Sequence, residues 1–256
     1  MGERSLEHNL KSHAAQKCYR QRIDALLPDL QAPLTLENAA QLCHTLSPTP
    51  QIHFDQPVSL ILPLKQYNYE QCLLIYENSI ALIARHANDI CQMILSHYHH
   101  LEHQVYKETM NEILTQQTLT GHYKTPIATS EYSLFPLTNA KSPETIWLNP
   151  ASVKEISTVS HQTIVRLFNT ISFCSPIEPR SLKTNMHISF MAHGIMKRDF
   201  TTTVVYEDLS LYEYLHLPYS KEITQAIKNI NYTDIPGKRG SLIRHYISLS
   251  NQHDKK

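Results

Sequence analysis

The sequence predicts an α+β fold of short, mainly antiparallel strands packed against a long helix, with a helical N-terminal extension and a helix-containing C-terminal tail. Three observations carry this expectation. Residues 58–64 are almost wholly apolar but follow Pro57 and include Pro63, too short and interrupted for a helix, and so read as a strand. Residues 87–119 contain neither Gly nor Pro and place Ile90, Ile94, Leu101, Val105 and Ile113 at spacings of four, seven, four and eight, as one long helix would. Beyond Gly121 the chain returns to short pieces rich in β-branched and aromatic residues.

The remaining elements follow in order. Residues 1–27 carry Leu6, Leu10, Ala14, Cys18, Ile23 and Leu27 at mostly helical spacing, with Arg4, Lys11, Lys17, Arg20 and Arg22 between them, and read as a basic amphipathic helix. Pro28, Pro33, Pro48, Pro50 and Pro57 then break the chain, leaving room for one short helix from a Thr35 cap through Glu37 to His44. Segments 71–76 and 79–85, separated by Glu77 and Asn78, complete a strand meander with 58–64. Strand-like pieces recur at 132–137, 145–148 and 163–173. A second helix is expected over 185–198, and a third begins at the Ser220 cap and runs through Ile223 and Ile227. These elements divide the chain into an extension (1–56), a core (57–200) and a regulatory or activation tail (201–256). Alternation along β positions assigns Tyr132, Phe135 and Trp147 to the core.

Composition narrows the function classes. The 23 Lys and Arg balance 23 Asp and Glu, so a nucleic-acid surface must be local rather than global. Five glycines, three of them (Gly194, Gly237, Gly240) in the last quarter, form neither a Walker A nor a Gly-x-Gly-x-x-Gly loop. Five scattered cysteines fit a reduced, cytoplasmic protein, and neither a signal-peptide apolar region nor a membrane span is legible. No Gly-x-Ser-x-Gly elbow occurs, Cys174 reads as buried rather than activated, and no enzyme or cofactor is expected. His97, His99, His100 and His103 have the three- and four-residue spacing that could place imidazoles on one helix face. Without a Glu-x-x-His pattern or a second ligand cluster, they read as a polar face titrating near pH 6.5 rather than a metal site.

The stretch Tyr132-Ser133-Leu134-Phe135-Pro136-Leu137, followed by Ile146-Trp147-Leu148-Asn149-Pro150, resembles the competence transcription factor (ComK) family of low-GC Gram-positive bacteria. The lead-in His122-Tyr123-Lys124-Thr125-Pro126-Ile127 is similar too, and the resemblance covers roughly residues 57–200. It implies a transcriptional activator of DNA-uptake genes. Members bind paired AT-rich boxes of double-stranded DNA as oligomers, largely through the minor groove and without a helix-turn-helix. It also implies capture by a Clp-protease adaptor, for which Tyr214, Leu215, Leu217 and Pro218 look similar to the family's aromatic-Leu-Pro segment, with the Pro displaced.

Minor-groove reading of A·T-rich DNA favours Arg and Lys. Arg180, Lys183, Lys197 and Arg198 flank the expected 185–198 helix inside the family-like region. Lys238 and Arg239 sit between Gly237 and Gly240, whose small size lets backbone and cations approach phosphates. Lys124 and Lys141 lie in loops on either side of the motif, and a further basic cluster lies in 1–27. The alternative is a regulatory protein-interaction module using the N-terminal helix and Tyr206, Tyr212, Tyr214 and Tyr219 without direct DNA binding.

Overall fold

Apolar runs of four or five residues, too short to bury a helical stripe, become strands buried on both faces. The computed structural model describes residues 20–23, 32–43, 46–116, 124–202, 206 and 208–253. Its strands are Arg20–Arg22 (β1), Leu60–Pro63 (β2), Cys72–Ile75 (β3), Ser79–Ile83 (β4), Ile127–Ala128 (β5), Ser133–Pro136 (β6), Trp147–Leu148 (β7), Val153–Val159 (β8), Gln162–Leu167 (β9) and Ser172–Ser175 (β10). Helices are Ala87–His99 (α1), His103–Thr115 (α2), Pro179–Phe200 (α3), Leu211–Tyr214 (α4), Lys221–Ala226 (α5) and Ser241–His253 (α6).

The fold is α+β. Seven strands form one sheet in the order β1-β4-β3-β2-β7-β6-β5, and β10-β9-β8 form a second, with every neighbouring pair antiparallel. The two halves of the aromatic motif become the adjacent strands β6 and β7, where Phe135 faces Leu148 and Pro136 faces Trp147. Tyr132, Phe135 and Trp147 are all buried, as expected of core residues. One hydrophobic cluster runs from Ile23 to Leu242, so residues on both sides of the expected boundaries at 56 and 200 share it. No described helix is long and apolar enough to cross a membrane.

Several expectations are corrected. Most of the basic helix expected over 1–27 lies outside the described residues, but Arg20–Arg22 within it is a strand, paired with β4. The segment after the Thr35 cap is a 3-10 helix, Ala39–Cys43, preceded by reciprocal bonds between Thr35 and Asn38 (2.6 and 3.1 Å). The single helix over 87–119 is two helices. His100 takes a left-handed conformation (φ 54°) that ends α1, and the Glu102 carboxylate accepts from the Gln104 and Val105 amides to start α2. Gln92 locks this corner from α1, donating to the Leu101 carbonyl (3.2 Å) and accepting from the His103 amide (2.7 Å).

Three elements exceed the expectation. α3 begins six residues early, with Pro179 in its first turn, where a missing amide costs nothing. The 163–173 run folds back through Thr170 (φ 71°) into β9 and β10, and β8 joins β9 through Ser160 and His161, both at positive φ. α6 was not foreseen at all.

Candidate DNA-contact site

The last turn of α3 carries Lys197, Arg198 and Asp199, and α6 begins beside it. Arg198 was expected to face DNA, and the structure corrects this. The residue is 5% exposed, and all five guanidinium N–H groups are spent inside the protein. Nη1 donates to the carbonyls of Ile235 (3.2 Å) and Gly237 (2.7 Å), Nη2 to those of Pro236 (3.0 Å) and Lys238 (3.2 Å), and Nε to the Asp199 carboxylate (3.1 Å). The other Asp199 oxygen accepts from the Leu242 amide (2.9 Å), so a residue of α3 caps the first turn of α6.

This clamp fixes the loop that leads into α6 against the end of α3. Gly237 (φ 74°) and Gly240 (φ 76°) adopt left-handed backbone, and a Cβ on Gly237 would lie 2.6 Å from the Ser241 hydroxyl. With the carbonyls turned inward, the Lys238 and Arg239 side chains are exposed. Arg239 donates to the Thr201 carbonyl; Lys238 has no side-chain partner among the described residues.

The other expected cations separate. Lys197 is half-buried above the Tyr214 ring, 5.4 Å from its centroid, and burial pushes its ammonium down. Arg180 lies exposed at the opposite end of α3, about 27 Å away by helix rise. Lys183 beside it is bound to Glu222 (2.9 Å) and Gln225 (2.7 Å). Lys124 is half-buried. Its neighbour Thr125 donates to Asn111 of α2 (2.6 Å), the helix against which α6 packs. The structure thus brings Lys197, Lys238 and Arg239 to one end of α3 and leaves Arg180 and Lys183 at the other.

The adaptor segment is also corrected. Tyr214 (4% exposed), Leu215 and Leu217 are buried in the core, and Tyr214 packs edge-on against Tyr232 at 4.9 Å. Of the four expected residues only Pro218 is exposed, along with the intervening His216 and the following Tyr219. A partner that needs this segment as an accessible peptide would have to unfold it.

The histidines do not form one polar face. His97 stacks on Phe54 at 3.8 Å, whereas His99 accepts from the Ser130 amide (2.9 Å) and packs on Phe200. Burial, then the neighbouring His100, lowers His99 to about 4, and burial, then Lys107, lowers His103 to about 4. Buried His193 on α3 reaches the same Ser130 from the other side, donating to its carbonyl (3.3 Å), and burial lowers it to about 4 as well. Among the described residues no three His, Cys, Asp or Glu side chains are grouped to hold a metal ion. Cys174 is partly exposed rather than buried, and its thiol is pushed up by burial and then by Glu37, away from the reactive thiolate.

Comparison with known families, curated proteins and solved structures finds no match.

Proposed function

We propose that the protein binds double-stranded DNA as a cytoplasmic transcriptional activator of the competence class, without a cofactor. The observation that carries this reading is the clamped loop. One buried arginine is committed to holding a five-residue turn whose two outward side chains, Lys238 and Arg239, are cationic. A turn fixed in advance loses little conformational entropy on meeting a phosphate backbone, so its charges act at low cost. The direct pairing of Phe135 with Leu148 and of Pro136 with Trp147 supports the resemblance, because the motif halves build one structural unit. The resemblance supplies the rest: AT-rich paired boxes, minor-groove reading and at least two copies per site.

Electrophoretic mobility of a duplex carrying two A-tract/T-tract boxes tests this. Cooperative appearance of a complex with two or more protein copies is expected, with one-box duplexes bound more weakly. If a single copy binds one- and two-box duplexes equally, the oligomeric activator reading fails.

A further inference from the structure

From Ile235 to His253 the chain carries Lys238, Arg239, Arg244, His245 and His253 and no Asp or Glu, in a molecule whose formal charges sum to zero. Arg244 and His245 lie three and four residues after Ser241, and Ser248 four and three after them, so the four line one shallow hollow along α6. The Ser241 hydroxyl is buried there with no hydrogen-bond partner among the described residues. Arg244 and Ser248 are exposed, and among the described residues the Arg244 guanidinium reaches only the Arg239 carbonyl, at 3.4 Å. Two carboxylates of α2 meet the histidines of α6: Glu112 lies 3.3 Å from His245 Nδ1 and Glu108 3.0 Å from His253 Nε2. Lys238, Arg239 and Arg244 thus have no carboxylate partner among the described residues.

We propose that this face of α6, continuous with the clamped loop, seats successive phosphates of one DNA strand. Lys238, Arg239 and Arg244 supply the charge, and the exposed Ser248 supplies a hydroxyl donor. The inference rests on the DNA-binding reading and extends it to residues of α6. The face from Ser241 to Ser248 is about 10 Å long. At ~3.4 Å of axial rise per phosphate, that spans about three phosphates of a strand. Such contacts are independent of base sequence: they add affinity and set the protein's position, while discrimination of AT-rich DNA lies elsewhere. Arg244 is therefore a positioning contact for the duplex, not a reader of bases.

The test is the double variant Lys238→Ala/Arg244→Ala, measured by fluorescence anisotropy on the two-box duplex over a salt series, with a urea midpoint to establish the fold. Both side chains are exposed, so the midpoint should stay near wild type. Loss of two phosphate contacts should make the slope of log affinity against log salt shallower by about 2 and weaken binding about tenfold or more at low salt. Should the double variant prove unfolded, single Lys238→Ala reads the same quantity, with a slope change of about 1. If the wild type binds and the folded variant keeps its affinity and slope, this surface is not the phosphate contact and the DNA reading survives. If folded wild type binds no duplex at low salt, both fall together.

Discussion

Replacing Arg198 with alanine is expected to cost about 3–5 kcal/mol of folding stability, the range for removing one partner of a buried, hydrogen-bonded ion pair. Asp199, whose side chain is fully buried, would keep its charge without a counterion, and four carbonyls of the 235–238 loop would lose their donor. Against a total of about 5–15 kcal/mol for a folded domain, that is a third or more of the margin. Arg198→Lys should recover only part of it, since three ammonium donors on a point charge cannot serve four carbonyls and a carboxylate in a fork. Adding Asp199→Asn to Arg198→Ala should restore some stability by removing the stranded charge. Urea denaturation midpoints read all three variants. A loss below about 1 kcal/mol in Arg198→Ala would mean that the guanidinium is solvated and the clamp is not formed.

Acidification is expected to have the second large effect. In the folded protein burial holds His99, His103 and His193 at about 4. In the unfolded chain an ordinary histidine titrates near 6.5. Between those values the unfolded state binds more protons, so stability is fully present above about pH 6.5 and is lost as pH falls toward 4. His193, fully buried, should withdraw about 1.5–2 kcal/mol between pH 7 and pH 5, and the half-buried His99 and His103 each less, because solvent screens them. The geometry gives the cause. His99 must stay neutral to accept the Ser130 amide, and His193 donates to the Ser130 carbonyl from a site 3% exposed. Denaturant midpoints at pH 7, 6 and 5 check the slope, and His193→Gln, which keeps a donor at similar reach, should remove the largest single share of it. Stability unchanged from pH 7 to 5 would mean that these histidines are open to water.

How much of this was legible in the sequence depends on where each stabilising group sits along the chain. β2, β3 and β4 could be read because a strand buried on both faces writes itself as a continuous apolar run, and Trp147, Phe135 and Tyr132 could be assigned to the core because aromatic side chains in short strands are buried by alternation. α5 was visible through its own cap, Ser220, which accepts from the Ile223 amide. The break between α1 and α2 was not visible, because no Gly or Pro marks it: His100 turns left-handed while Gln92, from the preceding helix, holds the corner. α6 was missed because its cap is Asp199, 43 residues before the amide it accepts.

The same distinction divides the candidate site. Lys238 and Arg239 could be picked out, since flanking glycines show locally that the backbone must turn. Arg198 was misassigned because a cation in a helix's last turn is ordinarily solvated, and nothing nearby in sequence announces that the carbonyls of residues 235–238 converge on it. Tyr214, Leu215 and Leu217 looked like a short recognition peptide, yet their apolar character serves the core that α4 joins.

The most direct test of the central claim compares wild-type binding to the two-box AT-rich duplex with binding to a GC-rich duplex of equal length, by anisotropy across a salt series. The account predicts tighter binding to the AT-rich duplex at every salt concentration, with affinity for both falling steeply as salt rises, because phosphate contacts set the common part and groove shape the difference. Folded protein that binds neither duplex at low salt, or binds both equally with little salt dependence, would contradict it.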